Sequence, residues 1–560
     1  MIFILNLWTM KNICFITLIL FSYITTHGQN QYPKDYFSPP VDIKIAIAGT
    51  FGELRNNHFH SGIDIKTRQK INMPIYASQE GYIKRIKVSS YGFGKALYIN
   101  HPKGFTTVYA HLEKFSPEIQ KRAEKEHYIK EKFEIDFSLN ESEILVRKGE
   151  LIGFSGNTGS STGPHLHFEI RDTKTQNIIN PMLFGLPILD RTKPNITAIL
   201  IYQKSGAKEL FYPKFIKEGY YKINDTLLIN QYFNIGIQTF DLLDAAPNKN
   251  GVYSIELFVN DTLFYANQME TFSFNETRYI NSHIDYAFYQ NNGVKIQKCF
   301  LDPNNKLSTN KKATNNAIGK NLNEGVHDIK VVVNDSYQNL STLEFNINLI
   351  KEQSSKPNTL ENFIKSKQVF EYKDSHCEIY IPNHSLYIDQ PFYYEKKIDS
   401  IMPYPVYKIL DDSIPSHKSF ILSIKIDSLE KRLREKAMIA RINNNKTECL
   451  KSKWKENKII GKSNKFGAFT IVIDTIKPII KHYKKNDANS INFEISDELS
   501  GIQSFRGEID NKWILMDYDF KTGILKHDFN TNPDNKNHQI KLIVTDQAGN
   551  ISTFINEYYR

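Results

Sequence analysis

Cysteine is scarce in this sequence, which has four among 560 residues. Cys14 lies in the N-terminal apolar run, and Cys299, Cys377 and Cys449 are far apart with no C-x-x-C spacing. These numbers exclude a fold held together by a disulfide framework, although one pair could form that the sequence does not identify. No histidine pattern near these residues indicates a nucleophilic thiol.

Long apolar runs are missing except at the N-terminus. Lys11 precedes an apolar run over residues 13–21, and small or polar residues follow as far as Gly28. This layout predicts a secretory signal peptide over residues 1–28 and hence an exported protein of the periplasm, cell envelope or extracellular space. The alternatives are an uncleaved anchor and a start at Met10. No later segment is apolar enough to span a bilayer.

Charge of one sign is not concentrated anywhere in the chain. The formal net charge is +10, and basic residues are interleaved with acidic ones. A nucleic-acid-binding function is therefore not expected, whereas an anionic cell envelope is compatible with the charge. The hydrophobic content of 40% is typical of globular protein, and the length indicates about four domains.

A short segment with two histidines carries the clearest chemical signal. His165, His167 and Glu169 alternate with Leu166, Phe168 and Ile170, the pattern of a half-buried strand. Residues two apart on a strand share a face and lie roughly 6.6 Å apart. Both imidazoles should therefore point into one space, where one can hold a metal ion and the other can contact what the metal binds.

An earlier segment supplies a histidine and a carboxylate. His60 and Asp64 would be about 13 Å apart on a straight strand, so the chain should bend between them, and Gly62 permits a bend. His58 is an alternative to His60. Two histidines and one aspartate with an open position indicate a catalytic rather than a structural zinc site. The chain has no H-E-x-x-H helix, which argues against a glutamate-base zinc mechanism.

A further histidine follows a predicted hairpin. Residues 97–99 and 104–112 read as two strands joined by the turn 100–104, and His111 comes at the end of the second strand. Active-site groups are often displayed at such a position.

These motifs occur in an order that resembles the lysostaphin-type zinc endopeptidases, which are peptidoglycan hydrolases. The resemblance covers roughly residues 43–186 and includes Gly49-Thr50-Phe51-Gly52, His60-x-Gly62-x-Asp64, Tyr109-Ala110-His111-Leu112 and Ser161-Thr162-Gly163-Pro164-His165-Leu166-His167-Phe168-Glu169. It implies an antiparallel β-sheet domain in which His60, Asp64 and His167 bind zinc. It also implies that His111 and His165 are the catalytic histidines, which exchange a proton or stabilise a developing oxyanion.

One stretch departs from the family pattern. Residues 114–146 intervene where the family has a short connection, and the segment 117–126 mixes charges with good helix formers. We expect a solvated helical insert here, with a flap over the cleft or a partner contact as the alternative.

Past residue 190 the sequence predicts three β-rich modules. Alternating strands over 191–350 predict an immunoglobulin-like β-sandwich, residues 355–475 a β-rich module, and residues 476–560 another immunoglobulin-like sandwich. The last resembles bacterial modules that close with the turn Asp546-Gln547-Ala548-Gly549-Asn550, and residues 333–339 contain a looser echo of that turn. With the peptidase domain predicted over 29–190, the fold class is mainly β.

The sequence thus predicts a secreted zinc endopeptidase that acts on peptidoglycan stem peptides or cross-links. The alternative is a non-catalytic envelope adaptor or regulator that uses a peptidase-like domain to bind wall peptides or an envelope protein partner.

Overall fold

The computed structural model describes residues 32–314, 317–351, 362–398, 402–426, 429–443, 446–483, 489–529 and 533–559. The predicted signal peptide over residues 1–28 lies outside the described residues. Among the helices in the described ranges, none is both long and apolar enough to cross a membrane.

The N-terminal domain, residues 32–190, is built on one antiparallel sheet. Its strands are β1 Ile47–Gly49, β2 Ile63–Lys66, β3 Pro74–Tyr76, β4 Gly81–Val88, β5 Lys95–Asn100, β6 Phe105–Phe115, β7 Ile135–Ser138, β8 Leu145–Val146, β9 Leu151–Ser155, β10 His165–Asp172 and β11 Ile178–Ile179. One helix, α1 Pro117–Lys130, and a 3-10 turn, Pro181–Phe184, complete the domain.

The strand order across this sheet is β1-β2-β10-β6-β5-β4-β7, and β9 pairs with both β3 and β6. The predicted alternation in β10 is confirmed, because Leu166, Phe168 and Ile170 are fully buried in the domain core while the histidines occupy the other face. The predicted hairpin is also present, with Asn100 opposite Thr106. The mainly β fold class and the antiparallel N-terminal sheet are confirmed.

The segment 114–146 forms part of the sheet and is not only a solvated helix. Helix α1 begins with Pro117, whose fixed φ suits the first helical position, and ends at Glu131, whose φ is 45°. It buries Ile119, Ala123 and His127 against the domain. The residues that follow form β7 and β8, which pair with β4. The insert therefore extends the edge of the sheet.

The second module, residues 191–351, has two sheets of five and eight strands that enclose a shared core. Its strands are Asn195–Gln203, Lys208–Phe211, Lys214–Lys217, Tyr220–Lys222, Leu227–Asn230, Phe233–Leu243, Ala246–Asn250, Ser254–Val259, Thr262–Gln268, Thr271–Phe272, Gln297–Lys298, Asn310–Ala313, Gly325–Asn334 and Leu340–Ile350. Three short helical segments, which the strand pattern did not predict, interrupt it at Phe274–Tyr279, Ile280–His283 and Tyr286–Asn292. A capping box between Ser273 and Glu276 begins the first of them.

The second module packs directly against the N-terminal domain. Its strand Thr271–Phe272 pairs with β11 of the N-terminal domain. A small apolar cluster crosses the junction and joins Phe51 and Phe59 to Met269 and Phe272. Because burial of such side chains stabilises both partners at once, the two units share a core.

The third module, residues 362–474, contains two five-stranded sheets and a two-stranded ribbon. Its strands are Phe363–Ile364, Phe370–Lys373, Cys377–Ile381, Gln390–Pro391, Tyr394–Lys397, Val406–Ile409, Pro415–Lys425, Ala437–Asn443, Lys446–Cys449, Ser452–Lys455, Lys458–Lys465 and Gly467–Ile473, with a short helix at Lys431–Arg434. The β-rich prediction for this region is confirmed.

The last module, residues 476–559, packs two four-stranded sheets around one core. Its strands are Ile479–Tyr483, Ser490–Ser496, Ile502–Ile509, Lys512–Ile514, Asp517–Asp519, Ile524–Asp528, Asn537–Asp546 and Ile551–Tyr559.

All three cysteines in the described part of the chain are free, so no disulfide joins them there. Burial raises the pKa of the Cys299 thiol to about 12 and that of Cys377 to about 11, which keeps both protonated and unreactive.

The last module folds back onto the N-terminal domain. The contacts join α1, its C-terminal end, the loop between β4 and β5 and the start of β5 to the module. They are the ring pairs Tyr128–Trp513 and Tyr91–Phe520 and the ion pairs Arg506–Glu131 and Lys95–Asp517. The insert that departs from the family pattern thus supplies a docking surface within this chain.

Reversing a charge in this contact should loosen it. Arg506 Nη1 lies 2.7 Å from Glu131 Oε2, and both side chains are partly exposed. Arg506→Glu replaces a weak attraction by a repulsion, a change of about 1 kcal/mol. We expect faster hydrogen–deuterium exchange over residues 117–131. The exposed Lys512→Glu is the charge-matched control, and equal exchange in the two variants would contradict the docking role of Arg506.

Candidate metal centre

Two strands and a bend bring three donor groups to one point. The register of β2 and β10 places Asp64 directly opposite His167. The chain bends at Gly62, as expected, and returns His60 to the same place. His60 Nε2, Asp64 Oδ1 and His167 Nδ1 form a triangle with sides of 3.0, 3.0 and 3.1 Å. These three residues could hold one metal ion.

The triangle fits a tetrahedral zinc ion. Bonds of about 2.0–2.1 Å give a tetrahedron an edge of about 3.3 Å, close to the spacing of the three atoms, and nitrogen with carboxylate oxygen is a donor set that zinc accepts. His58, the alternative ligand, lies outside this group, and its exposed ring contacts the carbonyl of Asn56.

Gly62 has a role that the sequence argument did not identify. Its φ is not positive, so the bend alone does not require glycine. A Cβ at position 62 would stand 2.3 Å from the Phe168 carbonyl oxygen and 2.9 Å from Glu169 Cγ. The glycine is needed because the backbone before β2 passes against β10.

Neighbouring groups orient the donors. His60 Nδ1 donates a hydrogen bond to the Thr50 carbonyl at 2.7 Å, which leaves Nε2 free for a metal. His167 Nε2 donates to Glu169 Oε1 at 3.1 Å, and its ring stacks on Phe93. Arg55 donates to the second oxygen of Asp64, at 3.1 Å.

Glu169 is the main residue whose role the sequence analysis missed. It is fully buried and is held by Arg171, whose Nε donates to Glu169 Oε2 at 2.7 Å. The signal was present, because a strand that reads His167-x-Glu169-x-Arg171 places three polar side chains on one face. Carboxylate–histidine–metal arrangements of this kind fix the ring and its tautomer.

The charges of this centre suit a cation. Burial alone would raise the pKa of Asp64, but the charge of His60 and hydrogen bonds from His165 and His167 hold it well below its ordinary value. Burial also acts against protonation of His167, yet hydrogen bonds to Asp64 and Glu169 raise its pKa to about 9. A metal ion that binds there competes with a proton on His167.

The two remaining histidines stand beside the triangle. His165 Nδ1 donates to the Gly163 carbonyl at 2.8 Å, and its Nε2 lies 3.3 Å from Asp64 Oδ1. His111 Nδ1 donates to the Thr158 carbonyl at 2.9 Å, and its ring centre is 4.9 Å from that of His165. All five predicted site residues therefore lie together.

The sequence predicted that His111 lies at the end of a strand, but in the structure it lies within one. Strand β6 continues to Phe115, and His111 is a bulge within it with a φ of 60°. Before the bulge β6 pairs with β10, and after it with β9. A left-handed non-glycine residue costs roughly 1 kcal/mol, so the local fold holds this imidazole in a strained position. Burial lowers its pKa to about 3, and the nearby charges of His167 and His165 add to the effect.

The last module reaches the rim of this centre. Lys521 donates hydrogen bonds to the carbonyls of Asn157 and Ser161, which lie in the loop between β9 and β10. On another side a groove of about 440 Å³ leads away from His165 and is lined by Lys66, Arg68, Gln69 and Pro164.

The N-terminal sheet, with its donors converging from β2, β10 and the bend before β2, places this chain in the class of β-rich metallopeptidases. Residues 58–131 and 136–181 match the model of peptidase family M23, so the chain carries an M23 peptidase domain, and the predicted resemblance is confirmed. Residues 361–474 match the model of the Zu5-like domain.

Two curated relatives and one solved structure illustrate the similarity. The chain is 36% identical over 157 residues to the DD-carboxypeptidase/endopeptidase Mpg of Neisseria meningitidis serogroup B, which covers 28% of this chain and 30% of the relative. It is 31% identical over 137 residues to the peptidoglycan DD-endopeptidase ShyA of Vibrio cholerae, covering 23% and 26%. The chain thus spans less than a third of the length of these relatives.

The solved structure is the catalytic domain of the antimicrobial peptidase lysostaphin from Staphylococcus simulans. It is 27% identical, covers 28% of this chain and 94% of that domain, and has a TM-score of 0.17.

A methyl group at position 62 should disturb the packing of β2 on β10. Gly62→Ala forces the strands apart, and we expect a loss of about 1–3 kcal/mol in the free energy of unfolding, as for overpacked cores. Gly163→Ala in the same domain is the control, since nothing lies within 4 Å of its added Cβ. Chemical denaturation measures both, and a Gly62→Ala protein as stable as the control would contradict the close-approach argument.

Removing the charge of Glu169 should weaken metal binding. Glu169→Gln keeps the shape but loses the carboxylate that accepts from His167, and we expect the zinc affinity to fall about 10–100-fold. Competition with a chromophoric chelator measures it. Glu118→Gln, in the exposed part of α1, should leave the affinity unchanged.

Proposed function

We propose that this chain is an exported zinc-dependent endopeptidase that hydrolyses peptide bonds in peptidoglycan stem peptides or cross-links. The observation that carries the proposal is the convergence of His60, Asp64 and His167 within 3.1 Å of one another, beside two further imidazoles. The relatives support the substrate, because one is named a peptidoglycan DD-endopeptidase and another a DD-carboxypeptidase/endopeptidase. A substrate in the cell wall in turn supports the envelope location.

His60, Asp64 and His167 would hold the zinc ion. Zinc in a three-ligand site polarises a carbonyl group and lowers the pKa of a water molecule. The surrounding side chains would position the substrate and transfer protons.

His111 and His165 are proposed as the catalytic histidines. Each donates its Nδ1 hydrogen to a backbone carbonyl, so each presents Nε2 to the centre. An imidazole that donates its Nδ1 hydrogen to a carbonyl, as His111 does to Thr158, can accept a proton at Nε2. A neutral base and a second imidazole 4.9 Å away, centre to centre, can take a proton from the nucleophile and pass one to the leaving amine.

The groove beside His165 supports a peptide substrate with free carboxylates. Lys66 and the exposed Arg68 line it, and cationic side chains bind carboxylate groups of such peptides. The phenyl ring of Phe93 stacks on His167 and covers one face of that metal ligand. Which peptide bond is cleaved would depend on how a stem peptide lies in this groove.

Separate variants of the two histidines test the mechanism. Zinc-loaded wild-type protein should release new peptide termini from purified peptidoglycan, and His111→Ala or His165→Ala should lower the rate about 10²–10⁴-fold while still binding one zinc ion. Termini are counted by amine labelling and identified by mass spectrometry. His58→Ala, which removes an exposed histidine outside the triangle, is the matched control and should keep full activity.

Two results would overturn the proposal. One is peptidoglycan left uncut by the zinc-loaded chain. The other is full activity in the His111→Ala, His165→Ala double variant. A chain that acts only as an envelope adaptor would retain its cellular role in that double variant, so the same protein separates the two functions.

A further inference from the structure

Two groups of three aspartates lie outside the metal centre, at the beginnings of two modules. The first aspartate group is Asp190, Asp241 and Asp335, and the second is Asp474, Asp497 and Asp546. In each group three carboxylate oxygens lie within 4.8 Å of one another.

The first group is buried and incompletely paired. Asp190, Asp241 and Asp335 are only 8%, 2% and 2% exposed. Asp190 Oδ2 and Asp241 Oδ1 have no hydrogen-bond partner among the residues that the structure describes. Burying a carboxylate without a donor or counter-charge is costly, and here two unpaired oxygens belong to one cluster of like charges.

The second group repeats this condition. Asp474 and Asp546 are 2% and 0% exposed, and Asp497 is partly exposed. Asp474 Oδ2 likewise finds no donor in the described ranges. An orphaned buried oxygen in each group points to a ligand that neither group obtains from its own side chains.

The first aspartate of each group occupies the same position relative to the start of its module. Asp190 and Asp474 each stand four residues before a proline, Pro194 and Pro478. In both, Oδ1 accepts from the backbone amide two residues later, at 3.1 and 3.2 Å.

The closing turns of the two modules, residues 335–339 and 546–550, also make the same hydrogen bonds. Asp335 accepts from the amide of Asn339 at 2.8 Å, and Asp546 from that of Asn550 at 2.8 Å. Each asparagine side chain then donates back to the carbonyl of the entrance aspartate, Asp190 or Asp474, at 3.2 and 2.9 Å.

The third aspartate occupies the same register in both modules. Phe240, before Asp241, pairs with Asn195, which follows Pro194. Ser496, before Asp497, pairs with Ile479, which follows Pro478. Each group therefore forms where three parts of a module meet: the segment before its first strand, the strand that pairs with that first strand, and the closing turn.

We propose that each aspartate group is a calcium site that fixes a module entrance, one at the joint after the N-terminal domain and one at the joint after the third module. Three carboxylates give oxygen donors and a charge of −3, which suit a hard divalent cation. Calcium accepts such sets with irregular geometry, whereas magnesium keeps its waters and zinc favours nitrogen or sulfur.

The electrostatics of the first group agree with this assignment. The three carboxylates are almost completely buried, and their oxygens lie within 4.8 Å of one another. Loss of hydration and mutual repulsion therefore both act against their charged forms. A divalent cation would relieve both the desolvation and the repulsion.

Calcium titration of the full, zinc-loaded chain tests the inference. Isothermal calorimetry in calcium-free buffer should show two equivalents of calcium per chain, and added calcium should raise the unfolding temperature. Asp241→Asn and Asp497→Asn should each lose one equivalent, and the exposed Asp328→Asn should keep both. Asp64→Asn, which alters the zinc triangle, should also keep both, so failure here is distinct from failure of the proposed peptidase activity.

Several outcomes would overturn the calcium sites. One is a wild-type chain that neither binds calcium nor changes its unfolding temperature up to about 10 mM, beyond the range in which extracellular modules bind it. Another is a folded Asp241→Asn protein that still binds two equivalents. Stabilisation by magnesium or zinc in place of calcium would also contradict the assignment. Titration of the wild-type chain remains decisive even if a variant does not fold.

Discussion

The whole N-terminal site depends on one pairing, that of β2 with β10. This register sets Asp64 opposite His167 and directs both side chains to the same face of the sheet. Because side chains alternate along a strand, a slip by one residue would send His167 into the core and Leu166 to the donors. The apolar side chains of β10, all fully buried, therefore specify the metal centre as much as the ligands do.

Much of this site follows from the sequence, since local patterns carry it. Alternation in residues 165–170 predicts the strand and its faces, and the distance between His60 and Asp64 predicts the bend. The glycine and carboxylate that follow His60 favour it over His58, whereas the partnership of five distant residues came from the family resemblance. The strand end predicted at position 111 was wrong, because its bulge arises from a change of strand partner that no local pattern records.

Other features depend on contacts between distant segments and could not be predicted. Glu169 looked like one polar residue of an amphipathic strand, and only Arg171 and His167 around it give it a role. The insert looked like a solvated helix, because nothing in residues 114–146 reveals that the last module rests on it. The echo between the two closing turns was visible in sequence, whereas the aspartates that complete each group are separated by up to 145 residues, from Asp190 to Asp335.

Lys521 donates hydrogen bonds to the carbonyls of Asn157 and Ser161, so the final module of the chain contacts the loop that leads into β10 of the first domain. Displacement of the final module would leave both carbonyls without this donor and remove one constraint on the loop that precedes His165. The position of the final module and the conformation of the loop before His165 are therefore coupled through Lys521, together with the contacts that Phe520 and Asp517 make with Tyr91 and Lys95.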